Sequence, residues 1–177
     1  MRLIKILFLL TLPLTVFAQK GYLANSPEDF KSNYNLNASK DSDIRCNKVL
    51  ENKSANTFQI PMDGEFSILG SYKPNTGQVT DITLIIVPNE SSNAYSMLTE
   101  MIYAISNILD VTSHFQMSEE TKVAIINKLG ILSQSPKDGL NNKVQLGHRK
   151  YWYTVSYTTG IWFGVEVTKQ NSSSIVN

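Results

Sequence analysis

Two apolar rows near the C-terminus constrain the fold more than any other feature of the chain. They lie in the segment YWYTVSYTTGIWFGVEV, residues 151–167. Alternate residues on each side of a Thr-Thr-Gly triplet are large and apolar: Tyr151, Tyr153, Val155 and Tyr157, then Ile161, Phe163, Val165 and Val167. Successive side chains of a strand point to opposite faces, so each row predicts a strand with one buried face. The segment therefore predicts a β-hairpin whose odd-numbered side chains are dry.

The predicted turn of this hairpin is a three-residue loop at 158–160. It ends in glycine, which closes such a loop in the left-handed conformation at the lowest cost. This loop keeps both apolar rows on one face. It also places Trp152 opposite Glu166 and Trp162 opposite Ser156, with the two indoles roughly 13 Å apart along the sheet.

Three more segments with period-two alternation lie earlier in the chain, at 56–62, 66–72 and 78–87. They are separated by short turn sequences and predict three consecutive antiparallel strands. In the first of these hairpins a glycine-containing loop of the same kind pairs Ile60 with Phe66.

Helical spacing replaces the strand pattern between the third and fourth predicted strands. Apolar residues from Tyr95 to Leu109 recur every three or four positions, which predicts an amphipathic helix. A second helix is predicted to begin at the capping residue Ser118 and to end at Gly130. The order β-β-β-α-α-β-β indicates an α+β fold, a two-layer antiparallel sheet of about five strands with two main helices packed on one face.

The first 18 residues have the three parts of a secretory signal peptide: the positive residues Arg2 and Lys5, an apolar stretch, and Val-Phe-Ala at a cleavage site. The apolar stretch is shorter than the roughly 20 residues that a membrane-spanning helix needs. We therefore expect cleavage after Ala18, a periplasmic or secreted mature protein, and no membrane anchor after cleavage. An uncleaved anchor is the alternative.

The rest of the chain suits one domain. A polar N-terminal segment with short helices is predicted at 19–55, the α+β core domain at 56–170 and a disordered tail at 171–177. Within the polar segment, helices are expected from Ser26-Pro27 onward and between residues 41 and 50.

Composition and motifs exclude several kinds of function. Basic and acidic residues number 16 and 15 and form no basic stripe, so nucleic acid is not expected as a partner. Cys46 is the single cysteine, which precludes an internal disulfide. We favour a partly buried free thiol, with a reactive thiol or a bond to another chain as alternatives. We find no catalytic, phosphate-binding or dinucleotide motif. The acidic and amide residues at 35–43 lack the glycine and glutamate of a calcium loop, so neither a metal nor a cofactor is predicted.

The candidate binding site is the other face of the C-terminal hairpin, which carries Trp152, Thr154, Ser156, Trp162 and Glu166. If this face is open, two tryptophans flanked by hydroxyls form a recognition surface. Alternatively, residues 19–55 fold back over it and bury the indoles. We favour the covering interpretation, because the apolar side chains of that segment must be buried somewhere.

These features predict an exported, non-catalytic protein-binding module, such as an inhibitor or an immunity-type protein. Two alternatives remain. One is a small extracytoplasmic hydrolase whose site is built from scattered residues such as His148, Ser156 and Glu166. The other is a structural component of the cell envelope.

Overall fold

The computed structural model describes residues 21–38, 44–89, 93–133 and 137–168. That part of the chain has a mixed α+β fold. Its elements in chain order are α1 (Pro27–Asn37), β1 (Leu50–Asn52), β2 (Thr57–Pro61), β3 (Phe66–Tyr72), β4 (Val79–Ile86), α2 (Ala94–Thr112), α3 (Glu119–Leu129), β5 (Asn141–Leu146), β6 (Arg149–Ser156) and β7 (Gly160–Val167). The predicted signal peptide and C-terminal tail lie outside the described residues.

All of these strands form one antiparallel sheet with the order β1-β2-β3-β4-β7-β6-β5. Strands β1 to β4 form one meander and β5 to β7 form a second. The two meanders join through the pairing of β4 with β7, which α2 and α3 separate in the sequence. The C-terminal hairpin is therefore continuous with the first meander.

The hydrophobic core lies between the helices and one face of the sheet. Buried residues of α1, α2 and α3 form a single cluster with alternate residues of β2, β3, β4, β6 and β7. Tyr153 and Phe163 are direct partners in this cluster, and each is 1% exposed. The predicted buried face of the hairpin is confirmed for Tyr151, Tyr153, Val155, Phe163 and Val165. Ile161 and Val167 are only partly buried, and Tyr157 at the turn is 75% exposed.

The helix ends follow the local sequence signals. The side chains of Ser26 and Ser118 accept hydrogen bonds from main-chain N–H groups in the first turns of α1 and α3. Gly130 ends α3 in the left-handed conformation with a φ of 72°, where glycine avoids the strain of a β-carbon. These predicted helix boundaries are confirmed.

The number of strands differs from the prediction. The five predicted strands correspond to β2, β3, β4, β6 and β7, and the structure adds an edge strand on each side of them. β1 has only three residues and begins inside the predicted helix at 41–50. β5 is mostly polar, and no strand was predicted at its position. Neither edge strand has the apolar alternation of a half-buried strand. The eleven-residue α1 is the helix predicted from Ser26-Pro27 onward, and it accompanies the two main helices predicted.

In the C-terminal hairpin each residue of β6 pairs with the residue of β7 two positions before the predicted partner. Ser156 pairs with Gly160, so the loop comprises 157–159 rather than 158–160. The Ser156 hydroxyl closes this loop by accepting hydrogen bonds from the N–H groups of Thr158 and Thr159 at 3.3 and 3.2 Å. Gly160 is the first residue of β7, and a β-carbon there would stand 2.2 Å from the carbonyl oxygen of Ile86. Both the approach of β4 and the positive φ of 99° at this position require glycine.

The register of the first hairpin also differs by two residues from the prediction, in the opposite direction. Ile60 pairs with Ile68 rather than with Phe66, and Met62 donates its N–H to the Phe66 carbonyl at 3.1 Å. Gly64 lies in the middle of the resulting loop with a φ of 70°. A shift by two residues leaves every side chain on its predicted face, so the predicted faces are correct although the predicted pairs are wrong.

Candidate functional site

The face of the sheet opposite the core carries the predicted binding residues. We call it the open face, because the residues that the described helices contribute to the hydrophobic core lie in the cluster on the other side. The predicted residues on it are each partly exposed: Trp152, Thr154, Ser156, Trp162 and Glu166. The structure groups Trp152, Thr154 and Trp162 near the middle of the hairpin, with Ser156 at the turn and Glu166 toward the far end.

Trp152 covers a glycine on the neighbouring strand. Its direct partner is Gly164, where a β-carbon would stand 2.0 Å from the indole Cε2. The prediction that Trp152 lies opposite Glu166 was wrong, because it depended on the incorrect loop. The same arrangement occurs on the core face, where Phe58 covers its partner Gly70. In both places an aromatic ring shields the backbone that glycine leaves bare.

Trp162 lies next to Trp152 and beside the turn. Its Nε1 donates a hydrogen bond to the carbonyl oxygen of Thr159 at 3.1 Å, and its cross-strand partners are Thr154 and Ile85. Because Trp152 pairs with the residue two positions after Trp162, the two tryptophans are diagonal neighbours, a spacing of about 7–8 Å in sheets. The predicted separation of roughly 13 Å and the predicted pairing with Ser156 are therefore corrected.

Two carboxylates face each other across β4 and β7. Glu166 lies 2.5 Å from the Lys150 ammonium on one side and directly opposite Asp81 on the other. Asp81 accepts hydrogen bonds through Oδ2 from the Ser71 hydroxyl at 2.5 Å and the Thr80 hydroxyl at 3.3 Å. Like charges directly opposite each other on neighbouring strands destabilise a sheet, so this row needs the lysine and the hydroxyls.

The described part of the N-terminal segment does not cover the open face. Its apolar residues Phe30, Tyr34, Ile44 and Val49 are buried in the same cluster as Tyr153 and Phe163, on the helix side. Helix α1 packs against α2, and the main chain at Cys46 forms an isolated β-bridge with Met62. The expectation that this segment buries the indoles was wrong for these residues. Their apolar side chains are buried in the core on the helix side instead, where α2 provides an apolar surface. Residues 39–43 lie outside the described part.

A groove of about 520 Å³ lies on the open face at the β1 end of the sheet. The open-face residues that line it are Leu50, Asn52, Thr57, Gln59, Leu69, Ser71, Asp81 and Thr83. Gln59, Leu69 and Thr83 continue across the sheet, through consecutive cross-strand pairs, to Gly164 and Trp152. The groove and the tryptophans therefore belong to one continuous surface.

Sequence reasoning missed the groove, although its residues carried a signal. Apart from Leu50 and Asn52 of β1 and the apolar Leu69, they are the polar positions that alternate with the buried rows of β2, β3 and β4. These positions lie on the same face as the tryptophans only because β4 pairs with β7. No local pattern in the sequence predicts that pairing.

The residues suggested for hydrolase chemistry do not come together. Ser156 and His148 lie eight positions apart at opposite ends of β6, which corresponds to about 26 Å along a strand. Glu166 pairs with Lys150 near the His148 end. Ser156 instead uses its hydroxyl to close the turn.

Cys46 lies buried as a free thiol. Burial raises the pKa of the Cys46 thiol to about 12, with Lys31 opposing the shift and Asp63 adding to it. The thiol is therefore protonated at neutral pH, which removes its nucleophilic form. Within the described ranges, no three histidine, cysteine, aspartate or glutamate residues lie close enough together to hold a metal ion.

Comparison of this chain with protein-family models, with curated proteins and with solved structures finds no match. Among the residues that the structure describes, no helix combines the length and the apolar character needed to cross a bilayer.

Proposed function

We propose that this protein is an exported, non-catalytic binding module that captures a protein partner on the open face, as an inhibitor or an immunity-type protein does. Export is inferred from residues 1–18, with cleavage after Ala18 and a periplasmic or extracellular mature form. The observation that carries the proposal is the position of Trp152 and Trp162. Both are partly exposed on the face opposite the helices.

Physical properties of this face support recognition of a protein. Tryptophan is enriched among the residues that dominate binding energies, and interface centres pair such aromatic anchors with satisfied polar groups. Trp152 rests on Gly164 and Trp162 is hydrogen-bonded to Thr159, so both indoles are held before binding. Side chains that are already ordered lose less conformational entropy when a partner binds.

The two alternative functions have less support. A hydrolase built from His148, Ser156 and Glu166 would need Ser156, at the turn, to lie beside residues at the other end of the hairpin. No specific feature of the described residues favours a structural role in the envelope.

The test is affinity capture from envelope extract of the source cell, followed by binding measurements with the purified partner. We expect Trp152→Ala and Trp162→Ala each to weaken binding by about thirtyfold or more, the loss typical of a hot-spot residue. Tyr95→Ala is the matched control, because Tyr95 is an aromatic residue on α2 that is 82% exposed.

The melting temperature of each variant separates a binding defect from unfolding. The proposal fails if folded tryptophan variants bind the partner as well as the parent protein, or if Tyr95→Ala weakens binding as much as they do. A purified small metabolite that the protein turns over would instead support the hydrolase alternative.

A further inference from the structure

The groove contains a carboxylate that pairs with no cation among the described residues. Asp81 lines the groove and stands directly opposite Glu166. Lys150, the next residue across the sheet from Glu166, forms an ion pair with Glu166 on the side away from Asp81. Among the described residues that line the groove, none is basic. Within this part of the chain, the charge of Asp81 is therefore balanced only by hydroxyl groups.

One oxygen of this carboxylate remains available. Ser71 and Thr80 both donate to Oδ2, and within the described chain no donor reaches Oδ1. The walls of the groove add two other kinds of surface. Leu50 and Leu69 are apolar and 47% and 39% exposed, while the floor presents hydroxyl and amide groups.

We propose that the groove receives an arginine side chain of the protein partner. The inference rests on the proposed function, because it names a residue type of the same partner on the same face. An arginine matches the two kinds of surface: its apolar stem packs on Leu50 and Leu69, as long cationic side chains do on apolar surfaces. Its planar guanidinium carries five N–H donors for Asp81 and for the oxygens of the floor.

Charge decides between arginine and other ligands. An anion such as a phosphate or a partner's carboxylate would face Asp81 and Glu166 and be repelled. A neutral sugar would leave the repulsion between those two carboxylates unchanged. A guanidinium relieves that repulsion on binding, and it satisfies more acceptors at once than the ammonium of lysine, which acts as a point charge.

The probe for this proposal is N-acetyl-arginine amide, titrated into isotope-labelled protein and followed by two-dimensional NMR. We expect saturable shifts of the Gln59, Leu69, Ser71 and Thr83 signals. The neutral isostere N-acetyl-citrulline amide should bind about tenfold more weakly, as expected for loss of a charge-assisted hydrogen bond.

Asp81→Asn should weaken arginine binding by about tenfold on the same grounds. Glu28→Gln, which removes a carboxylate from α1, should leave it unchanged. If Asp81→Asn does not fold, Thr83→Lys places a cation in the groove and should abolish arginine binding.

Equal affinity for arginine and citrulline, or a folded Asp81→Asn that binds arginine normally, would overturn the proposal. Preferential binding of a neutral disaccharide such as cellobiose, or concentration-dependent shifts of the groove signals without probe, would do the same by pointing to a sugar or to a second copy of the chain. These results do not depend on partner capture. Loss of the tryptophan effect together with retained arginine binding would refute the proposed function but not the groove.

Discussion

The indole of Trp152 occupies the space that a side chain at Gly164 would need. The two residues are direct partners across β6 and β7, and a β-carbon at position 164 would come within 2.0 to 2.3 Å of three indole atoms. Gly164 is consequently buried although it lies on the open face. This contact fixes the position of an aromatic side chain at the centre of the proposed binding surface.

Gly164→Ala should displace this indole. We expect the free energy of unfolding to fall by about 1–3 kcal/mol, the usual cost of overpacking. In a Trp162→Phe background, tryptophan emission should shift to longer wavelength as the indole becomes more hydrated. Gly21→Ala is the control, because a β-carbon there meets no atom within 4 Å. Unchanged stability and emission for Gly164→Ala would contradict the contact.

A buried lysine ties α3 to α2. The Lys122 ammonium lies 2.9 Å from Asp110 and 2.5 Å from Glu119, and its side chain is 5% exposed. Lys122→Ala leaves Asp110 without its cation, so we expect a loss of about 2–4 kcal/mol in urea denaturation. Lys31→Ala, which breaks a more exposed pair with Glu28, should cost less than about 1 kcal/mol. Equal losses in the free energy of unfolding for the two variants would show that the buried ion pair contributes no more to stability than the exposed one.

Raising the pH above about 8.5 should lower the free energy of unfolding of the protein. Burial raises the pKa values of Tyr151, Tyr153 and Cys46 to about 12, whereas ordinary values are about 10 for tyrosine and about 8.5 for cysteine. Between these limits the folded chain keeps protons that the unfolded chain has lost. Stability is therefore complete below about pH 8.5 and is lost as the pH rises toward about 12, by up to about 1.4 kcal/mol per pH unit for each group.

Urea denaturation at pH values from about 7 to about 11.5 checks this expectation, since that range spans the ordinary pKa values of both groups. Tyr153→Phe removes one titrating group and should make the loss less steep above about pH 10. A free energy of unfolding that stays constant or increases over this range would be inconsistent with neutral, buried phenols and thiol.

Much of the fold follows from local patterns in the sequence. The alternation in five segments predicts which side chains of β2, β3, β4, β6 and β7 are buried, and capping residues mark the ends of α3. The edge strands escaped prediction for a physical reason. β1 and β5 each pair with a single neighbouring strand and most of their side chains are exposed, so few of those side chains need to be apolar.

The candidate site was predicted only in part. The alternation of odd-numbered and even-numbered side chains in the hairpin correctly placed Trp152 and Trp162 on the face opposite the core. Their neighbours were predicted incorrectly, because shifting a hairpin by two residues preserves every face and leaves no trace in the pattern of alternation. The choice between the two registers depends on the Ser156 hydroxyl and on the approach of Ile86 to Gly160.

The sequence by itself determined the faces of the strands and the ends of the helices, because these depend on neighbours a few residues away. Only the tertiary structure decided that β4 pairs with β7, that α1 packs on α2, and that Asp81 stands opposite Glu166. Such contacts join segments far apart in the chain, and their energies depend on shape and charge that come together only when the sheet is complete.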